Sequence, residues 1–161
     1  MSIIINGSEM DKILDRIYVG SYHSATMLDY TNRESITHVL NCTSDTHEGL
    51  GNFKVVQLNI NDGYEISHEV IFFAIQTIRE AVQSGGKILV HCHAGISRST
   101  GIVCGYLMTC GFSWDEARAF VTQRRPQAWP HPNIERSIKK ALGQIISPAT
   151  TLLGDNNDFS K

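Results

Sequence analysis

The chain has 161 residues, of which 42% are hydrophobic and 19% are charged, and its formal net charge at pH 7 is −2. This length suits one domain with a single core, and the slightly acidic balance argues against nonspecific nucleic-acid binding. No apolar stretch is long enough to span a bilayer, and Ser2-Ile3-Ile4-Ile5 lacks the basic flank of a signal peptide. We therefore expect a monomeric globular domain without a nucleic-acid or membrane partner.

The first half of the chain alternates short strands with helices. Residues 1–11 show no clear period, so a mobile arm and an added edge strand are both possible. After them the pattern predicts one or two strands between Ile13 and Gly20, a short helix over 21–28, strands over 36–42 and 54–60, and a helix over 67–82. Ser67 can cap the last of these helices, and Gly85-Gly86 ends it.

The second half predicts one more strand and three helices. A strand over 87–90 precedes an almost wholly apolar helix over 101–110, a helix over 114–124 that opens on the capping box of Ser113 and Glu116, and a final helix over 133–146. Residues 147–161 form a polar tail that we expect to be flexible. We predict an α/β domain over residues 12–146, with a mostly parallel sheet of four to five strands flanked by helices.

The four cysteines indicate the redox environment. They lie in apolar runs and are too few for a disulfide scaffold: Cys42, Cys92, Cys104 and Cys110. We expect free thiols in the cytoplasm, with the nucleus also possible, and we expect Cys104 and Cys110 to pack in the core. His91 and His93 flank Cys92, but no carboxylate or Cys-x-x-Cys lies nearby, so we predict no metal site and no cofactor.

The residues that indicate a chemical function lie between Val90 and Thr100. It joins a strand to a helix through small residues, which is the geometry of an anion-binding loop with amides and the helix N-terminus directed at one spot. Thiols in such surroundings ionise near neutral pH and become nucleophiles. Cys92 stands at the start of the loop, and Arg98, six residues later, has a planar fork that matches two phosphate oxygens. The Ser99 hydroxyl could cap the helix or bond the sulfur.

The motif His91-Cys92-x-Ala94-Gly95-Ile96-Ser97-Arg98-Ser99 resembles the signature loop of the cysteine-based dual-specificity protein phosphatases. Ile17-Tyr18-Val19-Gly20-Ser21 and Val39-Leu40-Asn41-Cys42-Thr43 are similar to other segments of that family. The resemblance covers about residues 12–145. It implies a small, single-domain phosphatase with the protein tyrosine phosphatase fold, acting on phosphotyrosine and phosphoserine/threonine of protein substrates.

The resemblance also implies roles for individual residues. Cys92 would attack phosphorus to give a phosphocysteine, and Ser99 would assist its release. The phosphoryl group would be bound by the loop residues Cys92, His93, Ala94, Gly95, Ile96, Ser97 and Arg98. Supporting roles fall to His91, which would hold the loop's shape, and to Asn41 and Asn133. For Asn41 we expect a buried amide that braces the loop, although a simple turn at the strand end is also possible.

The leaving oxygen needs a proton donor, and Asp45, Glu48, Asp62 and Glu65 are candidates. We favour Asp62 because it follows a strand that should end on the same side of the sheet as the loop, next to a flexible Gly63. It also lies where the family carries its acid. The alternative is that Asn61-Asp62-Gly63 is only a turn.

The resemblance to the phosphatase family is weaker in the segment before the last helix. Arg125-Pro126 and Pro132-Asn133 fit the family, but the segment between them is one residue longer. The substrate-facing residue could therefore be Arg124 or Arg125, and Trp129 could be an exposed recognition residue or a loop staple. His93 and Ile96 stand where phosphoinositide phosphatases often have lysines, which argues against a phosphoinositide substrate. His93 could be cationic at lower pH, so lipid or nucleotide substrates remain an alternative, as does a phospho-binding module without turnover.

Cys42 allows a redox hypothesis. It ends the strand expected beside the loop strand, so it could form a disulfide with Cys92 under oxidation and protect that thiol. The alternative is a buried structural cysteine.

Overall fold

The computed structural model describes residues 10–143. Its strands are β1 (Met10–Leu14), β2 (Ile17–Gly20), β3 (His38–Asn41), β4 (Lys54–Gln57) and β5 (Ile88–His91). They form one sheet in the order β1-β2-β5-β3-β4, in which β1 and β2 pair antiparallel and every other pair is parallel. The predicted α/β class and the mostly parallel sheet are confirmed.

The helices follow the predicted order. They are α1 (Tyr22–Thr26) with a 3₁₀ turn (Met27–Asp29), α2 (His68–Gln83), α3 (Arg98–Thr109), α4 (Trp114–Arg124) and α5 (Pro132–Gly143). The Ser113–Glu116 capping box at the start of α4 is present. None of the helices between residues 10 and 143 has the length and hydropathy needed to cross a membrane.

The sheet separates two unequal cores. Successive strand residues face opposite sides, and in β5 Ile88 and Val90 belong to the larger cluster whereas Leu89 belongs to the smaller one. Helices α2 to α5 contribute to the larger cluster, while α1 and the 3₁₀ turn cover the other face. The expectation of helices on both faces is correct, with most of the helical layer on one face.

Helix α3 lies inside the larger core, and every residue from 98 to 107 is buried. Glycines let α5 approach it closely. A Cβ on Gly101 would stand 2.5 Å from Ile134 Cγ2, and one on Gly105 would stand 3.3 Å from Ile138 Cγ2. This close packing anchors the helix that opens at Arg98.

Element ends differ from the predictions for local reasons. Strand β4 ends at Gln57 instead of residue 60 because Asn59 adopts a φ of 53°, outside the β region. Helix α3 begins at Arg98, three residues before the predicted start, and β1 already includes Met10 and Asp11 of the predicted arm. Residues 1–9, the predicted end of the last helix at 144–146 and the tail 147–161 lie outside the described residues.

Replacing Ile138 tests the contact between α3 and α5. Its side chain is fully buried against Gly105, so Ile138→Ala should lower the free energy of unfolding by about 3 kcal/mol through lost burial and a residual cavity. Urea denaturation measures the change. Lys140→Ala, at an exposed position of the same helix, is the matched control, and equal unfolding free energies for the two variants would contradict the packing described.

Candidate active site

A six-residue loop, residues 92–97, connects the end of β5 to the start of α3; we call it the cradle loop. Strand β5 lies between β2 and β3 in the sheet. Parallel α/β sheets bind ligands at the carboxyl ends of their strands, and the cradle loop occupies that edge.

Every carbonyl of the cradle loop accepts a hydrogen bond from a group outside it. The donors are His91 Nδ1 to Cys92 (3.0 Å), the Tyr22 amide to His93 (2.9 Å), Arg125 Nη2 to Ala94 (3.3 Å), Arg125 Nε to Gly95 (2.7 Å), the Trp129 amide to Ile96 (2.7 Å) and the Gly101 amide to Ser97 (2.9 Å). A trans peptide places its C=O and N–H on opposite sides, so each outward carbonyl turns the following amide inward.

The inward amides are available for a ligand. Within residues 10–143, the amides of residues 93–97 donate no hydrogen bond. The N-terminus of α3 adds its partial positive charge at the same place. The backbone therefore forms a cradle for a tetrahedral anion, as the sequence predicted from the loop's position between a strand and a helix.

Cys92 and Ser99 meet beneath this cradle. Cys92 is 2% exposed, and its Sγ lies 3.2 Å from Ser99 Oγ. Of the two roles considered for the Ser99 hydroxyl, the structure has the contact with sulfur. The N-cap residue of α3 is Ser97, whose Oγ accepts the His131 amide at 3.0 Å. A hydroxyl at this distance can donate to a thiolate.

Arg98 presents an unpaired donor. Its side chain is 8% exposed, and Nη1 donates to the Ile60 carbonyl at 3.0 Å. Its Nε is buried and has no hydrogen-bond partner among the described residues. Buried donors are rarely left unsatisfied, and this one stands where a bound oxyanion would accept from it.

Asp62 lies beside that guanidinium. Its Oδ1 is 3.8 Å from Arg98 Nε, and its side chain is 66% exposed. Gly63 follows with a φ of 79°, and the Asn133 Nδ2 donates to the Gly63 carbonyl at 2.9 Å. The structure thus brings Asp62 next to Arg98, and Asn133 supports the backbone that carries this carboxylate.

Asn41 does not brace the cradle loop directly, which corrects the expectation. Its Oδ1 accepts from the Thr43 amide at 2.9 Å and its Nδ2 donates to the Asp45 carbonyl at 2.8 Å. This buried amide is at the end of β3, and its hydrogen bonds go to residues 43 and 45. It acts one step away, since Asp45 Oδ2 lies 2.7 Å from His93 Nε2.

His91 is fully buried and neutral. Burial, the main cause, lowers its pKa to about 4. The Cys92 carbonyl can only accept, so Nδ1 carries the proton, and Nε2 accepts from His47 Nε2 at 2.9 Å. Burial also lowers the pKa of His47. His91 holds the first carbonyl of the cradle loop, as the sequence led us to expect.

Tyr22 and His47 are site residues that the sequence did not reveal. The Tyr22 ring stacks on His47 with centroids 4.3 Å apart, and its hydroxyl donates to the Thr46 carbonyl at 2.6 Å. The Tyr22 amide holds the His93 carbonyl. The only signal in the sequence was their position after β2 and β3, whose ends meet at this edge of the sheet.

The structure shows where Arg124, Arg125 and Trp129 lie in the segment before α5. Arg125 is 1% exposed and reaches the cradle loop from behind, while Arg124 lies over the Phe120 ring at 3.4 Å. Neither arginine therefore lines the anion cradle. The Trp129 amide bonds the Ile96 carbonyl, as a loop staple would, and its side chain is 52% exposed. A recognition role for this side chain stays a prediction.

Cys42 is a buried free thiol, as is Cys104. Burial raises the pKa of Cys42 well above its usual value, and the neighbouring Cys92 adds to the rise. Burial also raises the pKa of Cys104 to about 12. The oxidative Cys42–Cys92 disulfide stays a prediction.

Comparison with known proteins identifies the family. Residues 17–142 match the family model described as "Dual specificity phosphatase, catalytic domain". The chain belongs to the dual specificity phosphatase family.

Individual relatives agree with this membership. The chain is 32% identical to mouse dual specificity protein phosphatase 15 over 136 residues, covering 83% of this chain and 58% of the mouse protein. It is 33% identical to Arabidopsis thaliana dual specificity protein phosphatase 1B over 143 residues, covering 86% and 84% of the two chains. The crystal structure of DUSP15 superposes with a TM-score of 0.79 at 29% identity, covering 89% of this chain and 93% of that one.

His91 should make stability depend on pH. Its pKa in the folded protein is about 4, below the ordinary 6.5, so the unfolded chain takes up the proton first as pH falls. Stability is full above about pH 6.5 and is lost toward pH 4, by about 2 kcal/mol between pH 7.5 and 5. His91→Gln should remove this part of the pH dependence in urea titrations at the two pH values. His23→Gln, at an exposed position, is the control, and an unchanged pH dependence in His91→Gln would contradict the neutral buried ring.

Proposed function

We propose that this domain is a protein phosphatase that hydrolyses phosphotyrosine and phosphoserine/threonine through a phosphocysteine intermediate. One observation carries the proposal. Cys92 lies at the base of a loop whose amides all turn inward, and the buried Arg98 offers its Nε without a partner among the described residues. A nucleophile, an oxyanion cradle and a fixed cation together are the parts that phosphoryl transfer requires.

In the first step Cys92 Sγ attacks phosphorus and the bond from phosphorus to the ester oxygen breaks. The three remaining phosphoryl oxygens are bound by the amides of residues 93–98 and by the Arg98 guanidinium, which stabilises the charge that spreads over them in the transition state. Asp62, 3.8 Å from Arg98, gives its proton to the leaving oxygen.

In the second step a water molecule attacks the phosphocysteine. Asp62, now a carboxylate, takes a proton from the water, and the sulfur–phosphorus bond breaks to release inorganic phosphate. The Ser99 hydroxyl, 3.2 Å from Sγ, donates to the departing thiolate. His91, Asn133 and, through Asp45, Asn41 support this arrangement without contacting the phosphoryl group.

The substrate class rests on the rim of the site and on the relatives. Ile96 of the cradle loop, Trp129 bonded to it, and Tyr64, two residues after Asp62, are exposed apolar or aromatic side chains, of the kind found at protein–protein interfaces. The relatives reported above are named as protein phosphatases. Lipid and nucleotide substrates are therefore not favoured. We further propose a monomer that works in the cytoplasm or nucleus, where its thiols stay reduced.

Replacing the nucleophile gives the direct test. Cys92→Ser should lower kcat/KM for para-nitrophenyl phosphate at least about 10³-fold, because a hydroxyl is not ionised at neutral pH. Cys110→Ser, at a partly exposed cysteine on the other end of α3, should retain activity. Turnover by Cys92→Ser at the wild-type rate would rule out the covalent mechanism.

Replacing the proposed acid, Asp62, distinguishes protonation of the leaving oxygen from attack by Cys92. Asp62→Asn should reduce kcat by about 10²–10⁴ on an alkyl phosphate, whose leaving group needs a proton, and much less on para-nitrophenyl phosphate. Glu69→Gln, at an exposed position in the first turn of α2, is the control. Wild-type turnover of the alkyl phosphate by Asp62→Asn would transfer the acid role to Asp45, Glu48 or Glu65.

A further inference from the structure

We propose that Asp11, on the edge strand β1, is a positioning residue for the cradle loop and acts through the buried guanidinium of Arg125. The inference goes beyond the mechanism above, although its effect on catalysis rests on the proposed phosphatase activity. Asp11 touches no reacting atom and stands 114 residues away from Arg125 in the chain.

Arg125 is the largest of the fully buried side chains, with 1% of its surface exposed. Three of its nitrogen atoms donate hydrogen bonds. Nε donates to the Gly95 carbonyl at 2.7 Å, Nη2 to the Ala94 carbonyl at 3.3 Å, and Nη1 to Asp11 Oδ2 at 2.8 Å. One planar group thus links two consecutive peptides of the cradle loop to one carboxylate on the sheet edge.

The two captured peptides determine where the amides point. With its carbonyl held on Arg125, the peptide between Ala94 and Gly95 turns the Gly95 N–H to the opposite side, and the next peptide does the same for Ile96. These amides lie in the middle of the cradle loop. If Arg125 shifts, both peptides are free to rotate, and the site loses two aligned donors.

The approach of Arg125 depends on the absence of a side chain at residue 95. Gly95 has a φ of 68°, and a Cβ there would collide with Arg125 Nη2 and stand 2.6 Å from the Gly20 carbonyl oxygen. The glycine of the signature motif therefore makes room for this guanidinium as well as for the turn.

Asp11 supplies the counter-charge that keeps Arg125 in place. A buried guanidinium without a carboxylate partner is strongly unfavourable, so it would move toward water or draw in solvent when the partner is removed. The Asp11 side chain is 27% exposed and provides the only acidic group within ion-pair distance of Arg125 among the described residues. Through the pair of Asp11 and Arg125, the hairpin of β1 and β2 thereby supports the geometry of the cradle loop. Asp11 itself does not touch that loop.

The test compares Asp11→Ala and Asp11→Asn with Asp15→Ala. Asp15 lies in the turn of the same hairpin, is 94% exposed and is 3.5 Å from Lys12, so its replacement controls for a changed surface charge. Tungstate, a tetrahedral oxyanion, is the probe for calorimetric binding. Iodoacetamide labelling of Cys92 across pH, followed by mass spectrometry, measures how readily this thiol ionises. Melting temperatures are recorded for every variant.

We expect Asp11→Ala to weaken tungstate binding about tenfold, the size of loss caused by removing a supporting contact at other preorganised sites. The pH midpoint of Cys92 labelling should rise, because fewer aligned amides stabilise the thiolate. Asp11→Asn keeps an oxygen acceptor but no charge, so its affinity should fall between those of Asp11→Ala and the wild type. Asp15→Ala should bind as the wild type does.

A merely structural role gives a different result. In that case Asp11→Ala melts earlier, but well below its melting temperature it binds tungstate and labels as Asp15→Ala does. A loss of affinity of threefold or more in Asp11→Ala supports the proposal, and a smaller loss overturns it. Should Asp11→Ala not fold, the same threshold applies to Asp11→Asn.

Failure of this inference is distinguishable from failure of the proposed function. Tungstate binding and thiol labelling need no turnover. If the wild type shows no Cys92-dependent hydrolysis but its tungstate affinity depends on Asp11, the proposed function fails and the positioning role stands. If hydrolysis depends on Cys92 and tungstate affinity is insensitive to Asp11, the positioning role fails and the proposed function stands.

Discussion

The arrangement on which the site depends is the capture of consecutive carbonyls from outside the cradle loop. Six peptides in a row have their oxygen atoms held by side chains or amides of five residues outside the loop. Planarity of the peptide bond converts those outward contacts into inward donors. The cost of aligning the donors is thus met during folding and not when a ligand binds, which is the basis of electrostatic preorganisation.

The two buried arginines, Arg98 and Arg125, have different electrostatic roles. Arg125 is neutralised by Asp11 and shapes the backbone, while Arg98 is 3.8 Å from an exposed Asp62 and its Nε has no hydrogen-bond partner within residues 10–143. Arg98 is therefore the arginine that can still donate a hydrogen bond to a bound ligand. His91 is neutral in the same region because burial depresses its pKa, so it orients the Cys92 carbonyl without adding a positive charge that the core would have to accommodate.

The sequence predicted most of what is local along the chain and, apart from Asp62 beside the cradle loop, few of the distant contacts. The strand, the loop and Cys92 with Ser99 were accessible because they are contiguous and the loop motif is specific. The His47–His91 contact joins residues 44 apart and the Asp11–Arg125 pair joins residues 114 apart, and no periodicity or motif encodes such pairs. The early end of β4 depends on the backbone conformation of Asn59, which propensity alone did not specify.

The segment between Arg125 and α5 has one further consequence. The chain contains only two tryptophans; Trp114 is 4% exposed in the core, whereas Trp129 is 52% exposed and is tied by its amide to the cradle loop. Their indoles sit in media of very different polarity. Trp129 is thus an intrinsic fluorophore beside the cradle loop, while the buried indole serves as an internal reference, so binding at the site can be followed optically without a label.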